Sequence, residues 1–311
     1  MPGWAADSEA GLTGLNRTEP NPEPSEDRNL EPGTEPNTHP EPGTKNTESV
    51  DHMRTLKLTL SYDGTPFVGW QRQATGASIQ GLLENVLARL EGGPVTVHGA
   101  GRTDAGVHAL GQVASVQISS SHPVDIIARA LNASLPPEVR VGRVEQATDD
   151  FHARFSARSK TYRYRIRNAA IASPFESAYV WHIQDTLDRP AMQEAAAALV
   201  GTHDFAAFRS LGGDATTTVR TVTASEVSVG RAPLGPPGEP EDGPGSLLVY
   251  EITGDGFLRH MVRAVAGTLV AVGRGQRRAS SMAALLAGGH RADAGATAPP
   301  QGLFLVRVVY D

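Results

Sequence analysis

Leu56, Leu58 and Leu60 alternate with Lys57, Thr59 and Ser61, and this period of two predicts a strand with one face on a core. The period then changes. From Ile79 the apolar positions fall at Leu82, Leu83, Val86, Leu87 and Leu90, one face of a helix, and Ser78 stands where an N-cap belongs. Strands are expected near 94–100 and 111–118, a second helix opening at Pro123, and a strand over 139–146. The order is βαββαβ, the ferredoxin-like unit. A looser second round follows: a strand at 161–167, an alanine-rich helix at 189–200 and strands at 219–229 and 246–253. A helix at 257–272, a short helix near 280–287 and a closing strand at 303–309 complete it. The expected fold class is α+β, with two βαββαβ halves (53–150 and 151–311) whose antiparallel sheets meet around a central cleft.

Two segments fit neither period. Residues 1–51 hold eight prolines, five glycines and almost no aliphatic side chains, so they cannot bury enough surface to offset the entropy of ordering. A disordered acidic tail is expected over 1–52, with Met53 as a candidate start of the working protein. Ten of the sixteen residues at 230–245 are Gly or Pro, which predicts a floppy insertion in a hairpin.

Setting the tail aside changes the charge. It carries 11 acidic and 3 basic residues, leaving 23 acidic and 25 basic in 52–311, so a chain of net charge −6 has a body of about neutral balance. Only Lys57 and Lys160 in that body are lysines; arginine is the side chain suited to bidentate phosphate contacts. The absence of cysteine excludes disulfides, thiolate nucleophiles and cysteine-held metal centres. No apolar run approaches the roughly 18 residues of a membrane span, and MPGWAADSEA lacks the pattern of a signal peptide. A soluble, cytoplasmic protein is expected.

Three stretches carry chemistry. GAGRTDAGVHALGQ (99–112) joins two strands with a loop longer than a hairpin requires, and Asp104 lies in its middle. Read alone, Asp-Ala-Gly fits a turn as well as a reactive carboxylate. KTYRYRIR (160–167) places Tyr162, Tyr164 and Ile166 on one strand face and Arg163, Arg165 and Arg167 on the other. Core tyrosines behind a wet arginine face would give that pattern. So would a surface on which bases stack while arginines take phosphates. On the helix expected at 257–272, Arg259 and Arg263 share a face, either simply solvated or facing a ligand. Asp149–Asp150 is the one adjacent acidic pair that a carboxylate-based glycosidase could use, but it falls in a turn after a strand. His98, His108, His152 and His203 have no metal-ligand spacing and read as structural.

GRTDAGVHA resembles the active-site motif of the tRNA pseudouridine synthase A family. DGTPFVGWQRQ (63–73), FHARFSARSKTYRYRIRN (151–168), FLRHMVRAVAGTLVAVGRG (257–275) and ATAPPQGLFLVRVVY (296–310) resemble its other motifs, in family order and across nearly all of 55–310. The resemblance implies isomerisation of uridine to pseudouridine at positions 38–40 of the tRNA anticodon stem-loop, without cofactor or metal, by a homodimer. It implies that Asp104 is the nucleophile, Arg263 the partner of its carboxylate and Tyr162 the ring stacked on the target uracil. Arg102 would fill the gap left by the flipped nucleotide, Leu303 would line the uracil pocket, and Arg154, Arg163, Arg165 and Arg259 would contact the RNA backbone. A non-catalytic RNA-binding protein on the same fold, or the same chemistry on another RNA, are the alternatives.

The tail has a direct test. A chain beginning at Met53 is expected to fold with an unchanged thermal midpoint and to bind RNA at least as tightly, because the removed segment carries repulsive charge and no core. A folded truncation that loses RNA binding in a filter assay would show otherwise.

Overall fold

The computed structural model describes residues 53–210, 212, 215–231 and 245–311. The expected tail, and residues 232–244 of the expected insertion, lie outside the described residues. The first elements are β1 (Arg54–Tyr62), α1 (Ile79–Glu91), β2 (Val97–Gly99), β3 (His108–Ile118), α2 (Val124–Ser134) and β4 (Val139–Gln146). Ser78 caps α1 by accepting the Gly81 N–H, and Gly92 ends the helix in the left-handed region at φ 70°. Pro123 is the N-cap of α2, one position earlier than a first-turn proline. β4, β1 and β3 pair antiparallel in that order, and β2 takes part of the other edge of β3.

The chain continues with β5 (Ser159–Asn168), β6 (Trp181–Ile183), α3 (Arg189–Ala197), β7 (Gly201–Asp204) and β8 (Val219–Gly230). It closes with β9 (Ser246–Gly254), α4 (Met261–Gly273), α5 (Ser281–Leu286) and β10 (Leu303–Val309). Here the sheet order is β10-β5-β9-β8, with β7 beyond β8 and β6 parallel to β5. Leaving aside β6, β7 and α5, both rounds of the sequence run in the spatial order fourth, first, third, second. β6 and β7 have three and four residues, too few for a period of two to show.

The strands form one ten-stranded sheet, and β10 is its seam. Along one edge β10 pairs antiparallel with β5, setting Leu303 opposite Tyr164 and Leu305 opposite Tyr162. Along the other it pairs parallel with β3, setting Phe304 opposite His108 and Leu305 opposite Ala109.

α4 is apolar on all sides, with eleven of its thirteen residues buried, so it runs through the interior rather than over the surface. Its packing depends on Gly267, where an added Cβ would sit 1.7 Å from the Ala296 carbonyl oxygen. α4 begins at Met261, four residues later than the pattern predicts, because His260 takes a left-handed conformation at φ 61°. Arg259 therefore precedes the helix and does not share a helical face with Arg263.

The arginine side of β5 also departs from a uniformly wet face. Arg163 bonds Glu251 through Nε and Nη2 at 3.1 and 2.8 Å. The Arg165 guanidinium lies 5.9 Å from the centre of the Phe304 ring. Arg167 is wholly buried, paired with buried Glu176 at 2.5 and 2.7 Å and donating to the Gly245 carbonyl. Truncating one member of such a pair leaves an uncompensated buried charge. Arg167→Met is expected to cost about 3–5 kcal/mol in urea unfolding, and Arg167→Met/Glu176→Leu to recover most of that loss.

Candidate active site

DGTPFVGW (63–70) and GRTDAGVHA (101–109), separate in sequence, form one packed unit. Trp70 N–H donates to the Thr103 carbonyl at 3.0 Å, and Gly64 N–H donates to His108 Nδ1 at 3.0 Å. Backbone lies directly on backbone: an added Cβ would sit 2.1 Å from the Val107 carbonyl oxygen at Gly64 and 2.6 Å from that of Thr103 at Gly69. From β1 and β3, buried Tyr62 and Gln112 brace the loop. The Tyr62 hydroxyl bonds Thr103 Oγ1 at 2.8 Å, and Gln112 Nε2 donates to the Gly101 carbonyl at 2.9 Å and to Tyr62. Burial pushes the Tyr62 hydroxyl up to about 12, so it braces the loop as a neutral phenol.

His108 is a structural residue. Its ring is buried and stacked on Phe304 at 4.6 Å, and burial lowers its pKa against the opposing pull of Asp63, whose Oδ1 stands 3.1 Å from Nδ1. Nδ1 accepts from Gly64, which leaves the proton on Nε2 to donate to the Gln301 carbonyl at 3.1 Å. The loop is thereby fastened to the turn that leads into β10.

On this frame the loop turns through Val107 N–H donating to the Asp104 carbonyl at 3.1 Å, and Asp104 presents a carboxylate about 29% exposed. Arg263, in the first turn of α4, donates from Nη1 to Asp104 Oδ2 at 2.9 Å. The guanidinium is itself held: Nε donates to the Ala298 carbonyl at 2.8 Å, and Ala298 N–H donates back to the Arg263 carbonyl. Arg291 and Thr268 pin the same segment through Gly295 and Thr297. Tyr162 lies close by on β5, buried, edge-on to Phe257 at 5.1 Å. Burial first, then Tyr62 and Asp104, raises its hydroxyl above the ordinary tyrosine range. Leu303 is buried at the start of β10, while Arg102 is exposed on the loop two residues from Asp104.

The candidate residues thus fall into two groups. Asp104, Arg263, Tyr162, Arg102 and Leu303 come from the loop, α4, β5 and β10, elements gathered around the β10 seam. Of the backbone candidates, Arg154 and Arg259 are exposed, whereas Arg163 and Arg165 are half-buried in the contacts described above. Two features escaped the sequence pattern. His260 Nε2 stands 3.5 Å from Asp104 Oδ2, a placement that needs a backbone conformation no periodicity reveals. His98, His152 and Phe155 follow one another as tilted rings, with centroids at 4.8 and 4.4 Å and interplanar angles of 35° and 34°. Phe155 is 76% exposed, and the Arg154 guanidinium lies 5.6 Å from its ring.

A family model described as tRNA pseudouridine synthase matches residues 59–156 and 195–311. The chain is 44% identical over 258 residues to a tRNA pseudouridine synthase A of Syntrophotalea carbinolica, covering 83% of this chain and 97% of that protein. It is 45% identical over 258 residues to one from Myxococcus xanthus, covering 83% and 92%. A third, from Geobacter sulfurreducens, is 44% identical over 256 residues, covering 82% and 99%. Likeness at this level, over nearly the full length of the relatives, together with a family match that spans 59–156, places the chain in the tRNA pseudouridine synthase family, isomerases that act on uridine in tRNA.

Proposed function

We propose that this chain converts uridine to pseudouridine at positions 38–40 of the tRNA anticodon stem-loop, with Asp104 as nucleophile, working in the cytoplasm as a homodimer. The observation that carries the reading is the Asp104–Arg263 pair: a carboxylate with one oxygen held by a fixed guanidinium, at the open tip of a braced loop. In the reaction the N1–C1′ bond of uridine breaks, the detached uracil turns, and a C5–C1′ bond forms. The C5 proton is then lost and N1 gains one, so the change is an isomerisation that needs no redox partner. Arg263 places a fixed positive charge 2.9 Å from the carboxylate as the nucleotide displaces water from around it. Tyr162, buried beside the site and edge-on to Phe257, would offer its ring to the target uracil as the nucleotide enters. Leu303 supplies an apolar wall, and Arg102 is exposed on the same loop as Asp104, where it can occupy the space of a nucleotide drawn out of a stem.

For the RNA backbone the proposal rests on Arg154 and Arg259, which are exposed. Arg163 and Arg165 would first have to leave Glu251 and Phe304. Exposed Phe155 beside Arg154 adds a ring on which an unpaired base can lie. A shared cleft between two copies would bring twice as many of these cations to one tRNA, which suits a body of nearly neutral charge.

Two measurements test the reading. Asp104→Asn keeps the size of the side chain while removing its charge and nucleophilic oxygen. Single-turnover pseudouridine formation is expected to fall by roughly four orders of magnitude or more, with tRNA affinity kept within a few-fold. Robust turnover by the folded variant would remove Asp104 from the mechanism, and product mapped only outside positions 38–40 would redirect the substrate assignment. Separately, Arg154→Gln and Arg259→Gln are each expected to lower the slope of log K against log salt by about one unit. An unchanged slope in both would put the RNA on another surface.

A further inference from the structure

His260 is held as few residues are. Among the described residues it is the one non-glycine with positive φ (61°), a conformation that L side chains avoid and that a fold retains where the surroundings enforce it. It stands at the N-cap of α4, three residues before Arg263, so its backbone sets where the helix begins. Both ring nitrogens have polar neighbours, one of them at hydrogen-bond distance. Nδ1 meets Ser210 Oγ at 2.9 Å and Nε2 faces Asp104 Oδ2 at 3.5 Å. Ser210 is itself placed by its N–H, which donates to the Arg259 carbonyl. Burial first, then Arg263, Arg259 and Arg291, lowers the pKa of the imidazole against the opposing pull of Asp104, so the ring is neutral near pH 7. A neutral imidazole has one N–H. If Nδ1 carried it, the Nε2 lone pair would point at the carboxylate and repel it. With the Ser210 hydroxyl donating to Nδ1, the proton lies on Nε2 and points at Asp104.

We propose that His260 is a positioning residue for Asp104: its Nε2–H and Arg263 Nη1 converge on Oδ2, so that Oδ1 is the oxygen that reacts with the nucleotide. The inference rests on the proposed nucleophilic role of Asp104 and extends it. A hydrogen bond from Arg263 at 2.9 Å and an imidazole 3.5 Å away, arriving from different backbone positions, restrict the rotation of the carboxylate more than the arginine alone. The left-handed turn is what lets residue 260 reach the loop while residue 263 starts the helix. Ser210 selects the tautomer, acting through the histidine rather than on the substrate.

The strain gives a test in which stability and activity separate. Glycine relieves the backbone and removes the donor. Asparagine tolerates the left-handed region, but its amide nitrogen lies near the place of Nδ1, short of Asp104. Glutamine carries an amide nitrogen near the place of Nε2, but in an unfavourable backbone conformation. Thermal midpoints of the full-length variants are therefore expected to rank His260→Gly and His260→Asn above His260→Gln. Single-turnover rates on tRNA with saturating enzyme are expected to rank the other way, with glycine and asparagine at least 10-fold below wild type and glutamine recovering part of the loss. Filter-binding Kd is expected to stay within about two-fold in all three, and Ser210→Ala to slow the rate by a smaller factor. Rates that follow the stability order, or a glycine variant as fast as wild type, would overturn the positioning role. A wild-type protein that forms no pseudouridine in any tRNA would instead overturn the reading of function beneath it.

Discussion

A strand of seven residues has to satisfy two partners at once, and the candidate site is assembled because it does. β10 must lie antiparallel to β5 and parallel to β3, with Leu305 opposite both Tyr162 and Ala109. Side chains alternate along a strand, so a slip of one residue against either neighbour would send Leu303 and Leu305 to the opposite face. The register is fixed from outside the ladder as well. His108 bridges Gly64 on one side to Gln301 on the other, and the Tyr164 hydroxyl donates to the Pro299 carbonyl at 2.6 Å. These bonds position the segment that grips Arg263, so the guanidinium meets a carboxylate 159 residues away in sequence.

The energetics of the Asp104–Arg263 contact differ in kind from those of Arg167–Glu176. The second pair is buried, its charges set against each other and the Gly245 carbonyl, and its worth lies in holding the segment after β5 in place. The first keeps about 29% of the aspartate and 14% of the arginine side chain open. Water can reach the carboxylate, and under the proposed function a nucleotide that excluded it would leave the Arg263 donor acting in a lower dielectric without having to move. Preorganisation of this sort draws on remote packing, here the buried α4 and the approach of Gly267 to Ala296.

Much of this was legible in the sequence, and the rest was hidden for identifiable reasons. β4 occupies 139–146 as its alternation predicts, and α1 begins after Ser78 because a helix face and an oxygen-bearing cap coincide there. The two rounds of strands and helices were legible as an order of elements, but their union into one sheet depends on pairings that no local pattern encodes. Asp104 and Arg263 stood out through the motifs that carry them. His260 did not, since a left-handed histidine inside an apolar run looks like one more helical residue. The arginines of β5 have a plain alternation, yet its meaning depends on Glu251, Phe304 and Glu176, which arrive from other parts of the chain.

The seam also imposes a sequence in time. Chains are made from the N-terminus, and His108 precedes its partner Gln301 by 193 residues. At about 5–20 residues per second the β3 edge waits roughly 10–40 s for β10 after it is made. Throughout that interval part of the edge offers unpaired N–H and C=O groups to any other extended chain. The nascent first half therefore holds the Asp104 loop without Arg263, and an open ladder beside it. Slower translation across the second half would prolong that exposure, so the step that completes the site is also the step that closes the molecule against its neighbours.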